Sequence, residues 1–101
     1  MENMNKMTID EMKAAIKRGI KFLDEKVPNW RRAITPDELD LGSCELCILG
    51  QIYGDFDNGR LGLSLGLSKA EEYGLYYESL NPGEIDRYYS HLTKLWKEAL
   101  Q

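Results

Sequence analysis

From Ile9 to Val27 the apolar residues Ile9, Met12, Ile16, Ile20, Leu23 and Val27 recur at steps of three and four. That spacing places them on one stripe of an α-helix, with Lys13, Lys17, Lys21 and Asp24 on the other face. Thr8-Ile9-Asp10-Glu11 is a capping box: the Thr8 hydroxyl accepts from an early helical N–H while Glu11 reaches back. Pro28 closes the element, because a proline drives the residue before it out of the α region. A second stripe, Ile85, Tyr88, Leu92, Leu95, Trp96 and Ala99, predicts a helix over 82–100. Asn81 precedes it as N-cap, Pro82 stands at its first position, and Lys94 and Lys97 lie near its negative end. Two long amphipathic helices in 101 residues leave room for one core and one domain.

The segment between them reads as shorter pieces. Trp30 and Ile34, four apart, predict a single helical turn anchored in the core. Thr35-Pro36-Asp37-Glu38 predicts a second helix start with Thr35 as cap, and Leu39 and Leu41 buried before Gly42 interrupts. Ser43 is expected to cap a central helix over 44–53, apolar nearly all round. Residues 54–59 are rich in turn formers and predict a loop. Leu61-Gly62-Leu63-Ser64-Leu65-Gly66-Leu67 alternates like a strand. Glycine weakens strands and no second strand is evident, so an irregular, partly buried loop is expected. Ser68-Lys69-Ala70-Glu71 predicts a further short helix ending at Gly74 as C′ residue. Residues 75–80 read as extended or helical. The expected architecture is all-α: a disordered N-terminus over 1–7, then one helical domain over 8–101, with two terminal helices packed around shorter central ones.

The formal net charge of −4 is unevenly distributed. Residues 1–34 carry eight Lys/Arg against five acids, and residues 35–90 carry eleven acids against Arg60, Lys69 and Arg87. An acidic middle disfavours tracking a nucleic-acid backbone, where affinity comes from neutralising phosphates. No apolar run approaches the roughly 18–20 residues of a membrane span, and the N-terminus lacks the layout of a signal peptide. A cytoplasmic location with no membrane or nucleic-acid partner is expected.

The chemistry-bearing patterns are few. Cys44-Glu45-Leu46-Cys47 has the spacing of a metal or redox pair. A zinc site needs four ligands and His91 is the only histidine, while a thioredoxin-like site needs a βαβ setting that the chain does not offer. Core packing is the simpler reading. Asp55-Phe56-Asp57-Asn58-Gly59 begins like a calcium loop, but Arg60 and Gly66 stand where the required Gly and Glu would fall. No Ser-His-Asp or Cys-His arrangement surrounds His91, and no glycine-rich loop precedes a Lys-Ser/Thr. No catalytic residue, metal ligand or cofactor is therefore assigned. Aromatic residues exceed what two stripes need, and Tyr, Trp and Arg anchor interfaces and stack on bases. Trp30, Arg31, Arg32, Gln51, Tyr53, Asp55, Tyr76 and Tyr77 are the candidate ligand- or partner-binding residues.

Leu23-Asp24-Glu25-Lys26-Val27-Pro28-Asn29-Trp30, then Ile34, Leu39-Asp40-Leu41, Cys47-Ile48-Leu49-Gly50-Gln51-Ile52-Tyr53-Gly54-Asp55-Phe56, Leu61-Gly62-Leu63 (or Leu65-Gly66-Leu67) and Trp96 form a further pattern. It resembles a group of small proteins encoded by phages, prophages and some Gram-positive bacteria. These tend to share a Pro-Asp/Asn-Trp, a Cys-Ile/Val-Leu-Gly-Gln-Leu/Ile-Tyr-Gly segment, a later Leu-Gly-Leu and a terminal Trp-bearing helix. Cys44 is not part of the shared pattern. The resemblance implies a phage-linked, cytosolic accessory protein and carries over no catalytic residue. Three functions are weighed on these grounds. The first is a non-enzymatic protein that binds and inhibits or redirects a host protein. The second is a homo-oligomer that sequesters a small nucleotide-like signal to counter host defence. The third is a Cys-x-x-Cys metal or redox module.

Overall fold

The computed structural model describes residues 8–78 and 82–101, and among them five α-helices and no strand. α1 spans Ile9–Lys26, α2 Ile48–Tyr53, α3 Phe56–Gly62, α4 Leu67–Glu72 and α5 Pro82–Ala99. Single 3-10 turns occupy Trp30–Ala33 and Pro36–Glu38. The all-α expectation is met. The expectations for residues 1–7, Leu80 and the Asn81 cap lie outside the described residues.

α1 forms as its caps dictate. Thr8 Oγ1 accepts from Glu11 N–H at 3.1 Å, and Glu11 Oε1 accepts from Thr8 N–H at 2.8 Å. At the other end Val27 N–H bonds Leu23 C=O at 2.8 Å just before Pro28. Of the predicted stripe Met12, Ile16 and Leu23 are buried, Ile20 and Val27 are half-buried and Ile9 is exposed, while Ala15 and Gly19 complete the buried face. α5 lies beside α1 and buries Tyr88, Leu92 and Trp96. Trp30 reaches into the same core and meets Trp96 edge-on at 6.3 Å, with planes 89° apart. Burying one large apolar side chain contributes roughly 1.5–3 kcal/mol, so Leu23, Ile48, Leu49, Leu92 and Trp96, all fully buried, dominate the core.

Two backbone features fix how α4 meets α1. Gly74 takes φ +72° and closes a Schellman motif: its N–H bonds Glu71 C=O at 3.1 Å, and Leu75 N–H bonds Ala70 C=O at 2.9 Å. That end of α4 then rests on α1 at Gly19, where the Tyr73 carbonyl occupies the space a Cβ would fill. Around this crossing Phe22 stacks on Tyr73 at 4.6 Å, Trp96 Nε1–H donates to Gly74 C=O at 2.7 Å, and Arg18 Nε–H donates to Glu72 C=O at 3.0 Å.

Four expectations for the middle segment are corrected. Residues 44–47 are a turn, not the first turn of the central helix. Ser43 Oγ accepts from Glu45 and Leu46 N–H and holds them there, so α2 starts at Ile48 with Cys47 as its N-cap. Residues 56–62 are helical, not a loop. The turn formers include a cap, since Asp55 Oδ1 accepts from Asn58 N–H at 2.7 Å, and Asp and Asn favour caps and turns for the same reason. Leu61 is 67% exposed, and of the alternating leucines only Leu65 is fully in the core. α4 begins at Leu67 after Gly66, so Ser68 is not its cap, and Thr35 caps nothing with its side chain. Trp30, Ile34, Leu39 and Leu41 are buried as expected.

Candidate functional site

Most of the eight residues singled out from the sequence turn out to hold the protein's own structure. Trp30 is 2% exposed, and its indole N–H donates to Asp24 Oδ1 at 2.9 Å. Arg31 covers the Trp30 ring at 5.1 Å and lies 4.0 Å from the Asp24 carboxylate, while Arg32 is exposed. Gln51 is a staple: its Oε1 accepts from Thr35 N–H at 2.6 Å and its Nε2 donates to Leu46 C=O at 3.0 Å. Tyr53 is half-buried with its ring against α3, and Asp55 caps that helix. Tyr76 stacks on Phe56 at 5.6 Å. Tyr77 is buried against Tyr88, ring centroids 3.5 Å apart.

A tyrosine lock joins the 75–78 segment to α5. Tyr77 N–H donates to Tyr89 Oη at 2.9 Å, and Tyr89 O–H donates back to Tyr77 C=O at 3.1 Å. Burial outweighs the help of that bond and pushes the Tyr89 phenol up to about 12. Burial also pushes the neighbouring Tyr88 phenol up, and among the described residues its buried hydroxyl has no hydrogen-bond partner. Leu41 N–H donates to Thr93 Oγ1 at 2.9 Å and ties the preceding loop to the same helix.

The cysteines sit beside this lock. Cys44 is exposed and Cys47 is buried, and both are free thiols. Cys47 Sγ accepts from Gly50 N–H at 3.2 Å. Burial pushes its thiol above the ordinary range despite that bond, which is the opposite of what a reactive cysteine needs. Among the described residues no group of three or more His, Cys, Asp or Glu side chains is arranged to hold a metal ion. Cys44, Cys47, Phe56, Tyr76 and Tyr89 line a cleft of about 90 Å³, well below the roughly 300–1,000 Å³ of small-molecule sites.

Among the described residues one surface left uncommitted is a groove of about 470 Å³ between α1 and α5. Ile16, Ile20 and Leu95 form its floor, Ala14 and Ala99 its small-residue edges, and Asp10, Lys13 and Lys17 its rim. Lys13, Lys17 and Lys21 recur every four residues on exposed α1 positions, a row about 12 Å long at 1.5 Å per residue. Among the described residues none of the three forms an ion pair. The sequence carried part of this signal. The lysine row was legible as the polar face of α1, and Ile20, Leu95 and Ala99 were assigned to the two core stripes. Ala99 is exposed, and Ile20 and Leu95 are half-buried.

Comparison with protein-family models, with curated proteins and with solved structures finds no match for this chain. Among the described residues no helix is long and apolar enough to cross a membrane.

Proposed function

We propose that this chain is a non-enzymatic, phage-linked accessory protein that works in the host cytosol by binding a host protein and inhibiting or redirecting it. The observation that carries this reading is the groove between α1 and α5: a concave apolar floor with a charged rim, on a face that no other described residue covers. Contiguous apolar concavities with polar edges are where proteins receive partners. The sequence resemblance to small phage and prophage proteins supports a host protein as the partner. The buried Trp30 touches both Asp24 of α1 and Trp96 of α5, Tyr77 is locked to α5, and Gln51 staples the loop around Thr35 and Leu46, so these residues belong to the scaffold.

The test is affinity capture from a Gram-positive host lysate, with wild-type protein beside an Ala14→Trp variant. Ala14 is exposed on α1, so the new ring fills the groove without entering the core. The expected result is a host protein held by the wild type and lost by the variant, with unchanged circular dichroism and Tm. A host protein retained equally by both refutes the groove as the binding surface.

A further inference from the structure

Resting on that reading, we infer that the groove receives an acidic amphipathic α-helix of its partner, with aliphatic side chains on one face and carboxylates flanking them. Three observations converge on this occupant. The floor of Ile16, Ile20 and Leu95 is narrow and apolar, the form that receives the i, i+4, i+7 anchors of a helix. Ala14 and Ala99 at its edges are small, which lets a helix backbone settle close to α1 and α5. Among the described residues the charged side chains lining the groove are Lys13, Lys17 and Asp10, an excess of one positive charge, and Lys21 continues the lysine row one turn further along α1. Carboxylates beside the anchors would meet this row one turn at a time, since both periods are those of an α-helix.

The same charges argue against the other occupants. A second copy of this chain docked through the same face would set lysine row against lysine row across a two-fold axis. An anionic lipid surface would attract the row but repel a chain whose net charge is −4. It is also flat, where this site is concave. A nucleic acid would find phosphate contacts on the rim and an apolar floor with no aromatic ring to stack on.

The experiment uses the full chain and two synthetic helical peptides of about 18 residues. Each carries Leu at the i, i+4, i+7 and i+11 positions, with flanking residues either Glu or Lys. Binding is read by fluorescence anisotropy at low and high salt, and the site by amide chemical-shift changes. The Glu peptide is expected to bind at Ala14, Ile20 and Leu95, about tenfold tighter than the Lys peptide at low salt, with the preference shrinking as salt screens the rim. In a Lys13→Glu, Lys17→Glu variant the preference inverts. Both positions are exposed, so the exchange leaves the fold intact, which circular dichroism verifies.

Equal binding of the two peptides, or a preference the double variant leaves unchanged, overturns the inference. Binding of phosphatidylserine vesicles in place of the peptide overturns it in favour of a membrane. A concentration-dependent dimer abolished by Ala14→Trp overturns it in favour of a second copy. Failure of the Glu peptide alongside host-protein capture that Ala14→Trp abolishes sinks the acidic helix and leaves the protein-binding function standing.

Discussion

Replacing Gly19 with alanine sets two effects of opposite sign against each other. In an isolated helix the change stabilises by roughly 1 kcal/mol, because alanine loses less backbone freedom than glycine on folding. In this protein the new Cβ lands on the Tyr73 carbonyl, 3.1 Å from the Tyr73 carbonyl carbon and 3.4 Å from Trp96 Cζ2. The obstructing oxygen is backbone and cannot swing aside like the tip of a side chain. The C-terminal end of α4 must therefore move away from α1. Overpacking of this kind costs about 1–3 kcal/mol. The movement also strains the buried Trp96 Nε1–Gly74 bond of 2.7 Å, and leaving that carbonyl unpaired costs about 1–3 kcal/mol more. After the propensity gain of roughly 1 kcal/mol is subtracted, Gly19→Ala is expected to destabilise by about 1–5 kcal/mol, centred on about 3 kcal/mol. The corresponding fall in Tm is on the order of 10–20 °C for a domain of this size. Gly62→Ala is the matched control. Its Cβ meets only Tyr53 Cε1 at 3.8 Å, an ordinary contact at the end of α3, and it is expected to be neutral or to stabilise by about 0.5 kcal/mol. The assay is urea unfolding followed by far-UV circular dichroism, with midpoints compared at equal slope. A Gly19→Ala midpoint equal to or above that of the wild type refutes the close crossing of α1 and α4.

Tyr89→Phe removes both hydrogen bonds to the Tyr77 backbone and is expected to cost about 1–3 kcal/mol by urea unfolding at pH 7; a loss below about 0.5 kcal/mol would dismiss the lock. Its phenol titrates higher in the fold, about 12, than in the unfolded chain, about 10. Above pH 10 the unfolded state therefore releases a proton that the folded state keeps. The stabilisation is complete below pH 10 and declines as pH rises from 10 toward 12. Urea midpoints at pH 8, 10 and 11 should fall more steeply for the wild type than for Tyr89→Phe, and parallel curves would reject this account. Trp96→Phe loses the bond to Gly74 C=O and leaves a void, for an expected loss of about 2–4 kcal/mol in the same assay. A chromogenic thiol reagent should titrate Cys44 rapidly in the native protein and Cys47 only after unfolding; two fast equivalents would contradict the buried, capping role of Cys47.

Sequence alone determined the two long helices. Their apolar periods, the Thr8–Glu11 capping box, Pro28 and Pro82 are local signals, and local signals act before any tertiary contact forms. Gly74 as a C′ residue and the burial of Trp30, Leu39 and Leu41 were legible for the same reason. The middle segment was not. Asp55, Asn58 and Gly59 are equally at home in a turn or at a helix start, and six or seven residues of helix are too few to stand without packing. Only the approach of α2 to α3 decided between the two. The aromatic residues divide in the same way. Composition identified a surplus, but whether a tyrosine faces a partner or grips its own backbone depends on contacts twelve residues apart, as between Tyr77 and Tyr89. The candidate groove belongs wholly to tertiary structure. The lysine row and the stripes were visible, yet only the packing of α1 beside α5 leaves Ile20 and Leu95 half-buried and Ala99 exposed along an empty volume. A hydrophobic period states which face seeks cover, and the packing of neighbouring elements decides how much of it finds any.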